Sequence, residues 1–231
     1  MSATETLVVQ LRGVFGDRLQ ALLAFDPVIN PAGTRADAVH TLAVVDRVTL
    51  SDLTACASLS RGWKRLRLEM PLLIGADEFS RSLDVFPLEF SAIMATRRVI
   101  AGADPFASLA IPTEDLRRAC EVQARSHLVH LREGYVEAGG RRPEVARLLA
   151  ASAAPFWTLL TNVARLRHGD DRDASIEALI TESGLPTNIL SHMRSAATSR
   201  HRRHQTDANL YPDYLRAAER LADYVDRWKR A

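Results

Sequence analysis

The feature that most constrains this chain is a change of character near its middle. Up to residue 111, short apolar runs alternate with helical patterns; beyond Gly102-Ala103-Asp104-Pro105 and Ile111-Pro112, the β-branched runs vanish and only helical periodicity remains. A chain written this way is expected to fold as two domains of α+β class, residues 1–111 around a small sheet and residues 112–231 as an all-helical bundle. With 231 residues, 47% of them hydrophobic, there is enough apolar surface for such cores without disulfides or a structural metal.

In the first half, Leu7, Leu11, Val14 and Phe15 recur at helical spacing, and Gly16-Asp17 can end that helix. The almost wholly apolar run 19–25, closed by Asp26-Pro27, is too short for a helix and reads as a strand buried on both faces. Asn30, Pro31, Gly33 and Thr34 mark a turn-rich segment, and residues 41–45 form a second buried strand. Residues 51–68 read as a helix with Ser51 placed to cap it and Leu53, Cys56, Ala57 and Leu66 placed to pack. Its basic end, Arg61, Lys64, Arg65 and Arg67, complements the helix macrodipole and needs no ligand to explain it. Pro71-Leu72-Leu73-Ile74-Gly75 reads as a third strand and residues 83–93 as a fourth, placed at an edge by Pro87.

In the second half, Leu116, Cys120, Ala124, Leu128, Leu131 and Tyr135 share one helical stripe that stops at Gly139-Gly140. Further helices are expected over 143–167, 173–183, 186–198 and 212–230. The last carries Tyr214, Ala217, Leu221, Tyr224, Val225 and Trp228 at coiled-coil-like spacing, with Asp223–Arg227 and Asp226–Arg230 as ion pairs. That stripe is either intramolecular core or the face of a homodimer or a protein partner.

Charge and cysteine content narrow the function classes. Thirty basic against 28 acidic side chains leave a formal charge of +2, so no global field draws the chain to nucleic acid or anionic lipid. The dense run Arg200-His201-Arg202-Arg203-His204 reads as a solvated connection, with phosphate or RNA contact as the alternative. Cys56 and Cys120 form no CxxC pair, which argues against a disulfide framework or a structural zinc. No apolar run approaches the ~18 residues that span a bilayer, and no basic-then-apolar leader opens the sequence, so a cytoplasmic location is expected. His127 and His130 sit three apart on a helix, but no third ligand stands at metal spacing, and they read as surface residues. GxSxG, P-loop and GxGxxG motifs are all absent.

The order helix, strand, turn-rich loop, strand, helix, strand, strand and helical bundle resembles the DNA polymerase beta-like nucleotidyltransferase superfamily, in particular its small members with a helical C-terminal domain. In that family the first strand ends in Gly-Ser, and a Ser-Asp-x-Asp or Ser-Asp-x-Asn stretch enters the second strand; those carboxylates hold magnesium against a nucleoside triphosphate. Laid over that pattern, Asp26-Pro27 stands in place of Gly-Ser, and Val39 and Thr41 stand at the two metal positions. A carboxylate and a ring lacking N–H oppose triphosphate binding, and the loss of both metal carboxylates removes what the chemistry depends on. Met70-Pro71-Leu72-Leu73-Ile74 and Ser82-Leu83-Asp84-Val85-Phe86-Pro87-Leu88-Glu89-Phe90 look like later strands of the family, with Asp84 or Glu89 at its third carboxylate. Period-two alternation places those two acids on opposite faces. Glu89 is alternatively a partner of Arg97 or Arg98.

The resemblance therefore implies a small mixed-sheet nucleotidyltransferase-like domain followed by a helical bundle domain, and a pseudoenzyme that keeps a ligand cleft or a partner-binding role. No cofactor is expected. The alternative is a divergent transferase acting on a hydroxyl acceptor with magnesium and a nucleoside triphosphate. Its ligands would then be Asp37, brought in by a small register shift, with Asp84 and Glu89, the last two also serving catalysis. A third reading is an interaction module that dimerises through its helical half.

Overall fold

Leu7, Leu11 and Phe15 form the buried stripe of the first helix, α1 (Ala3–Phe15), and Ser2 and Glu5 close its N-terminus as a reciprocal capping box. The computed structural model describes residues 2–27, 38–198 and 207–228. They make two units, one reaching to Pro112 and the other starting at Thr113.

In the first unit, β1 (Leu19–Phe25), β2 (His40–Val45), β3 (Leu72–Gly75) and β4 (Arg98–Gly102) form one sheet in the order β3-β2-β1-β4. The sheet is mixed: β1 runs antiparallel to both β2 and β4, whereas β2 and β3 are parallel, joined by α2 (Leu50–Arg65) as the crossover. The continuous apolar runs of β1 and β2 are explained by burial on both faces. One face sets Leu22, Ala43 and Val45 against Leu7, Leu11 and Phe15 of α1 and Cys56 and Trp63 of α2. The other sets Ala21, Leu23, Leu42 and Val44 against Phe79, Phe90, Ile93 and Phe106. Phe79 lies on α3 (Ala76–Ser82), and Phe90 and Ile93 on α4 (Pro87–Thr96).

Helix α4 corrects the expectation of a strand over 83–93. Pro87 occupies the first turn, where its missing N–H costs nothing and its fixed φ suits the helix. Burial then falls on Pro87, Leu88, Phe90, Ser91 and Ile93, a helical spacing that the alternating letters of Phe86-Pro87-Leu88-Glu89-Phe90 disguise as period two. The fourth strand is instead 98–102. In α2 the cap is Thr49 rather than Ser51, and Trp63 packs inside while Leu53 and Leu66 are exposed.

The α2 N-terminus is tied to the sheet by an ion pair. Arg18 donates from both terminal nitrogens to Asp52, at 2.6 and 3.0 Å, while Asp52 also accepts from the backbone N–H and the hydroxyl of Thr49. The Arg18 guanidinium and then Thr49 hold the Asp52 carboxyl well below the usual carboxylate range. A depressed folded pKa contributes stability that is present above the unfolded value, about 3.9, and lost as pH falls below it. Asp52→Asn is accordingly expected to lower the melting temperature at neutral pH and to flatten its decline below pH 4, as thermal melts across pH would record.

The second unit contains α5 (Thr113–Glu137), α6 (Arg142–His168), α7 (Arg172–Ser183), α8 (Thr187–Thr198) and α9 (Tyr211–Arg227). Of the expected α9 stripe, Tyr214, Ala217, Leu221 and Val225 are buried in the helical unit, whereas Tyr224 and Trp228 are half-buried. Asp226 pairs with Arg125 across to α5, and Arg227 donates to the main-chain oxygen of Asp223; Arg230 lies outside the described residues. Arg132–Glu219 is a second α5–α9 pair. No helix among the described residues is long and apolar enough to cross a membrane.

Candidate functional site

Antiparallel pairing of β1 with β2 brings the C-terminal end of one beside the N-terminal start of the other, with Phe25 opposite His40 and Ala24 opposite Thr41. The chain leading into β3 joins the same end of the sheet, since Val39 N–H donates to the Arg67 carbonyl at 2.9 Å and Glu69 N–H to the Val39 carbonyl at 3.0 Å. β4 begins there too, with Arg98 opposite Ala24. Asp26 is pinned by its main chain: its N–H donates to the Thr96 hydroxyl at 3.1 Å, at the C-terminal end of α4. One end of the sheet thus collects Asp26, Val39, His40, Thr41 and Glu69.

Val39 packs against the cluster formed with α1 and α2. Thr41 lies on the same face by strand alternation, at 1% exposure, and its hydroxyl has no hydrogen-bond partner. His40 turns to the opposite face, buried, with its ring centroid 5.9 Å from that of Phe25. Burial pushes the His40 pKa down, opposed by the Glu69 and Asp26 carboxylates, so the ring is neutral at pH 7.

The two overlaid strand positions offer magnesium no carboxylate. Magnesium asks for hard oxygen ligands in near-octahedral array, usually one or two carboxylates with the substrate phosphates. Here the two strand positions carry a hydrocarbon and a hydroxyl enclosed in the core, and the residue between them is a neutral imidazole. Among the described residues no group of three His, Cys, Asp or Glu is placed to hold a metal ion.

Of the other sequence-derived carboxylates, two lie among the described residues. Asp84 is exposed in the turn between α3 and α4. Glu89 is exposed in the first turn of α4, where a carboxylate complements the helix dipole, so the expected alternation of the two acids on a strand does not apply. Arg97 is not the partner of Glu89; it forks onto Asp104 at 2.9 to 3.2 Å and lies over the Phe106 ring. Asp37 and the run 200–204 lie outside the described residues.

His127 is not the surface residue expected from the sequence. It is wedged between Phe156 and Tyr214, with Nε2 2.8 Å from the Tyr214 hydroxyl, whereas His130 is exposed beside Glu133. Glu69, His40 and Thr96 were not singled out by sequence. The only signal for Glu69 was its place just before a strand, and for His40 its place between the two overlaid metal positions.

Among solved structures, the chain is similar to a spectinomycin adenyltransferase from Enterococcus faecialis crystallised with ATP and spectinomycin, with a TM-score of 0.56 and 15% identity over 95% of this chain and 98% of that one. No family model matches the sequence, and no curated protein does. At this identity the likeness is one of fold: the small mixed sheet followed by helices is a nucleotidyltransferase-like α+β architecture.

Proposed function

We propose that this chain is a catalytically degenerate nucleotidyltransferase-like protein, in which the fold has been kept and the metal-dependent chemistry lost. The observation that carries the reading is the start of β2, where Val39 and the core-enclosed Thr41 stand at the two overlaid metal positions. The carboxylate of Asp26 and the ring of Pro27 add to it at the end of β1, because neither offers an N–H-lined cradle to a triphosphate. Asp84 and Glu89 are both solvent-facing, Asp84 in the turn before α4 and Glu89 in its first turn.

The role left to such a protein is binding, of a small ligand or of a protein partner. The competing reading is a divergent magnesium-dependent transferase using Asp37, Asp84 and Glu89. The two separate by turnover: the full chain incubated with magnesium and each nucleoside triphosphate is expected to release no pyrophosphate above a protein-free control in phosphorus NMR. Release that disappears in Asp37→Asn, Asp84→Asn or Glu89→Gln would instead establish the transferase.

A further inference from the structure

Helix α6 carries a proline in its interior, Pro155. Proline has no N–H, so the carbonyl four residues earlier, that of Ala151, loses its intrahelical donor. Among the described residues no side chain replaces it: the Thr158 hydroxyl donates to the Ala154 carbonyl and the Tyr214 hydroxyl to that of Ser152. Ala151 and Pro155 together line a groove of about 570 Å3 between α5 and α6. Its walls are mostly apolar, with Val122 and Leu131 from α5 facing Leu148 and Leu159 from α6.

The groove is bounded by firm structure. At Gly134 the two helices are so close that a Cβ would stand 2.6 Å from a methyl of Leu148, which is itself part of the groove wall. At the side, His127 is locked by Phe156 and Tyr214. Its pKa is pushed down to about 4 by burial, so this wall is uncharged at neutral pH. Charged ligands gain nothing from such a lining. A neutral ring gains from the apolar walls, and a donor on that ring can meet an acceptor the helix does not use.

We propose that the α5–α6 groove is a binding site for a small, neutral, largely apolar ring compound bearing one N–H or O–H donor, which bonds the Ala151 carbonyl freed by Pro155. The site lies wholly within the helical unit, and its lining carries no Lys, Arg, Asp or Glu. It stands independently of what the sheet end binds.

The test uses indole and benzothiophene, rings of the same shape with and without the N–H, titrated into the full chain and followed by backbone amide shifts in NMR. Indole is expected to give saturable shifts at groove residues such as Ser126, Leu148 and Ala151, with affinity about three- to tenfold above benzothiophene, the range for one neutral hydrogen bond. Ala151→Trp, at an exposed position, fills the groove and should abolish the shifts; Ser126→Trp, exposed on the facing helix, serves if the first variant misfolds. Pro155→Ala restores the helical donor to Ala151 and should make the two probes bind equally well. No saturable shift with indole, shifts that survive in the folded tryptophan variant, equal affinities in the unmodified chain, or a preference for indole that survives Pro155→Ala would each overturn the proposal.

Discussion

Gly102→Ala is expected to unfold the first unit or cost about 3–5 kcal/mol, a large share of the ~5–15 kcal/mol that holds a typical domain. Gly102 ends β4 with φ of 78°, in the left-handed region where a side chain is strained. The larger cause is steric. A Cβ there would stand 1.9 Å from the carbonyl oxygen of Gln20 and 2.9 Å from Cα of Ala21, both backbone atoms of β1. Neither can swing aside as a side chain could, because the next residue, Ala21, is paired to Val44 on the other edge of β1 and is buried. Relief would require parting β4 from β1. Gly13→Ala is the matched control: it lies inside α1 with nothing within 4 Å of the added Cβ, and the change should stabilise by about 0.5–1 kcal/mol through helix propensity. Urea denaturation of the two variants beside the parent chain measures both signs.

The second large effect is a loss of stability on acidification that centres on His127. The Tyr214 hydroxyl donates to the Ser152 carbonyl at 3.1 Å, so its contact with His127 uses the oxygen as acceptor and places a proton on Nε2. Burial between α5, α6 and α9 disfavours the charged form and brings the folded pKa from the ordinary 6.5 to about 4. The unfolded state therefore binds more protons between those two values, and stability rises with pH across that window. Full stability is present above pH 6.5 and declines toward pH 4, by about 3 kcal/mol at 1.36 kcal/mol per pKa unit. His40, also held down by burial, adds to the decline with the same sign. His127→Phe keeps the ring contacts and the Tyr214–Ser152 bond while removing the titration. Its melting temperature should fall less steeply than that of the parent chain from pH 6.5 to 4, and parallel curves would refute the assignment.

Elements whose identity is set locally were legible in the sequence, and those set by a distant partner were not. The stripe Leu116, Cys120, Ala124, Leu128 and Leu131 names α5 without help, and the unbroken apolar runs of β1 and β2 state burial on both faces. The segment 83–93 misleads because Leu88 and Phe90 satisfy period two and period 3.6 alike over so few residues. Only packing on Phe79 and Phe106 decides between them. The burial of His127 depends on Tyr214, 87 residues away, and the depressed Asp52 carboxyl on Arg18, 34 residues away. No local pattern encodes either.

The candidate site was legible in one respect and hidden in another. Overlaying the chain on a known strand pattern singled out Val39 and Thr41, and the register Ala24 opposite Thr41 and Phe25 opposite His40 sets those positions beside the end of β1. The neighbours that complete that end, Glu69 and Thr96, reach it through the parallel pairing of β2 with β3 and the return of α4 to Asp26. Both are products of topology, and neither residue stands out by type or spacing.

The measurement that bears most directly on the degenerate reading is isothermal titration of the purified full chain with each nucleoside triphosphate, with and without magnesium. The account predicts no magnesium-dependent heat of binding for any of them. Saturable binding that requires magnesium and weakens in Asp37→Asn, Asp84→Asn or Glu89→Gln would contradict it and restore a metal-dependent centre to this fold.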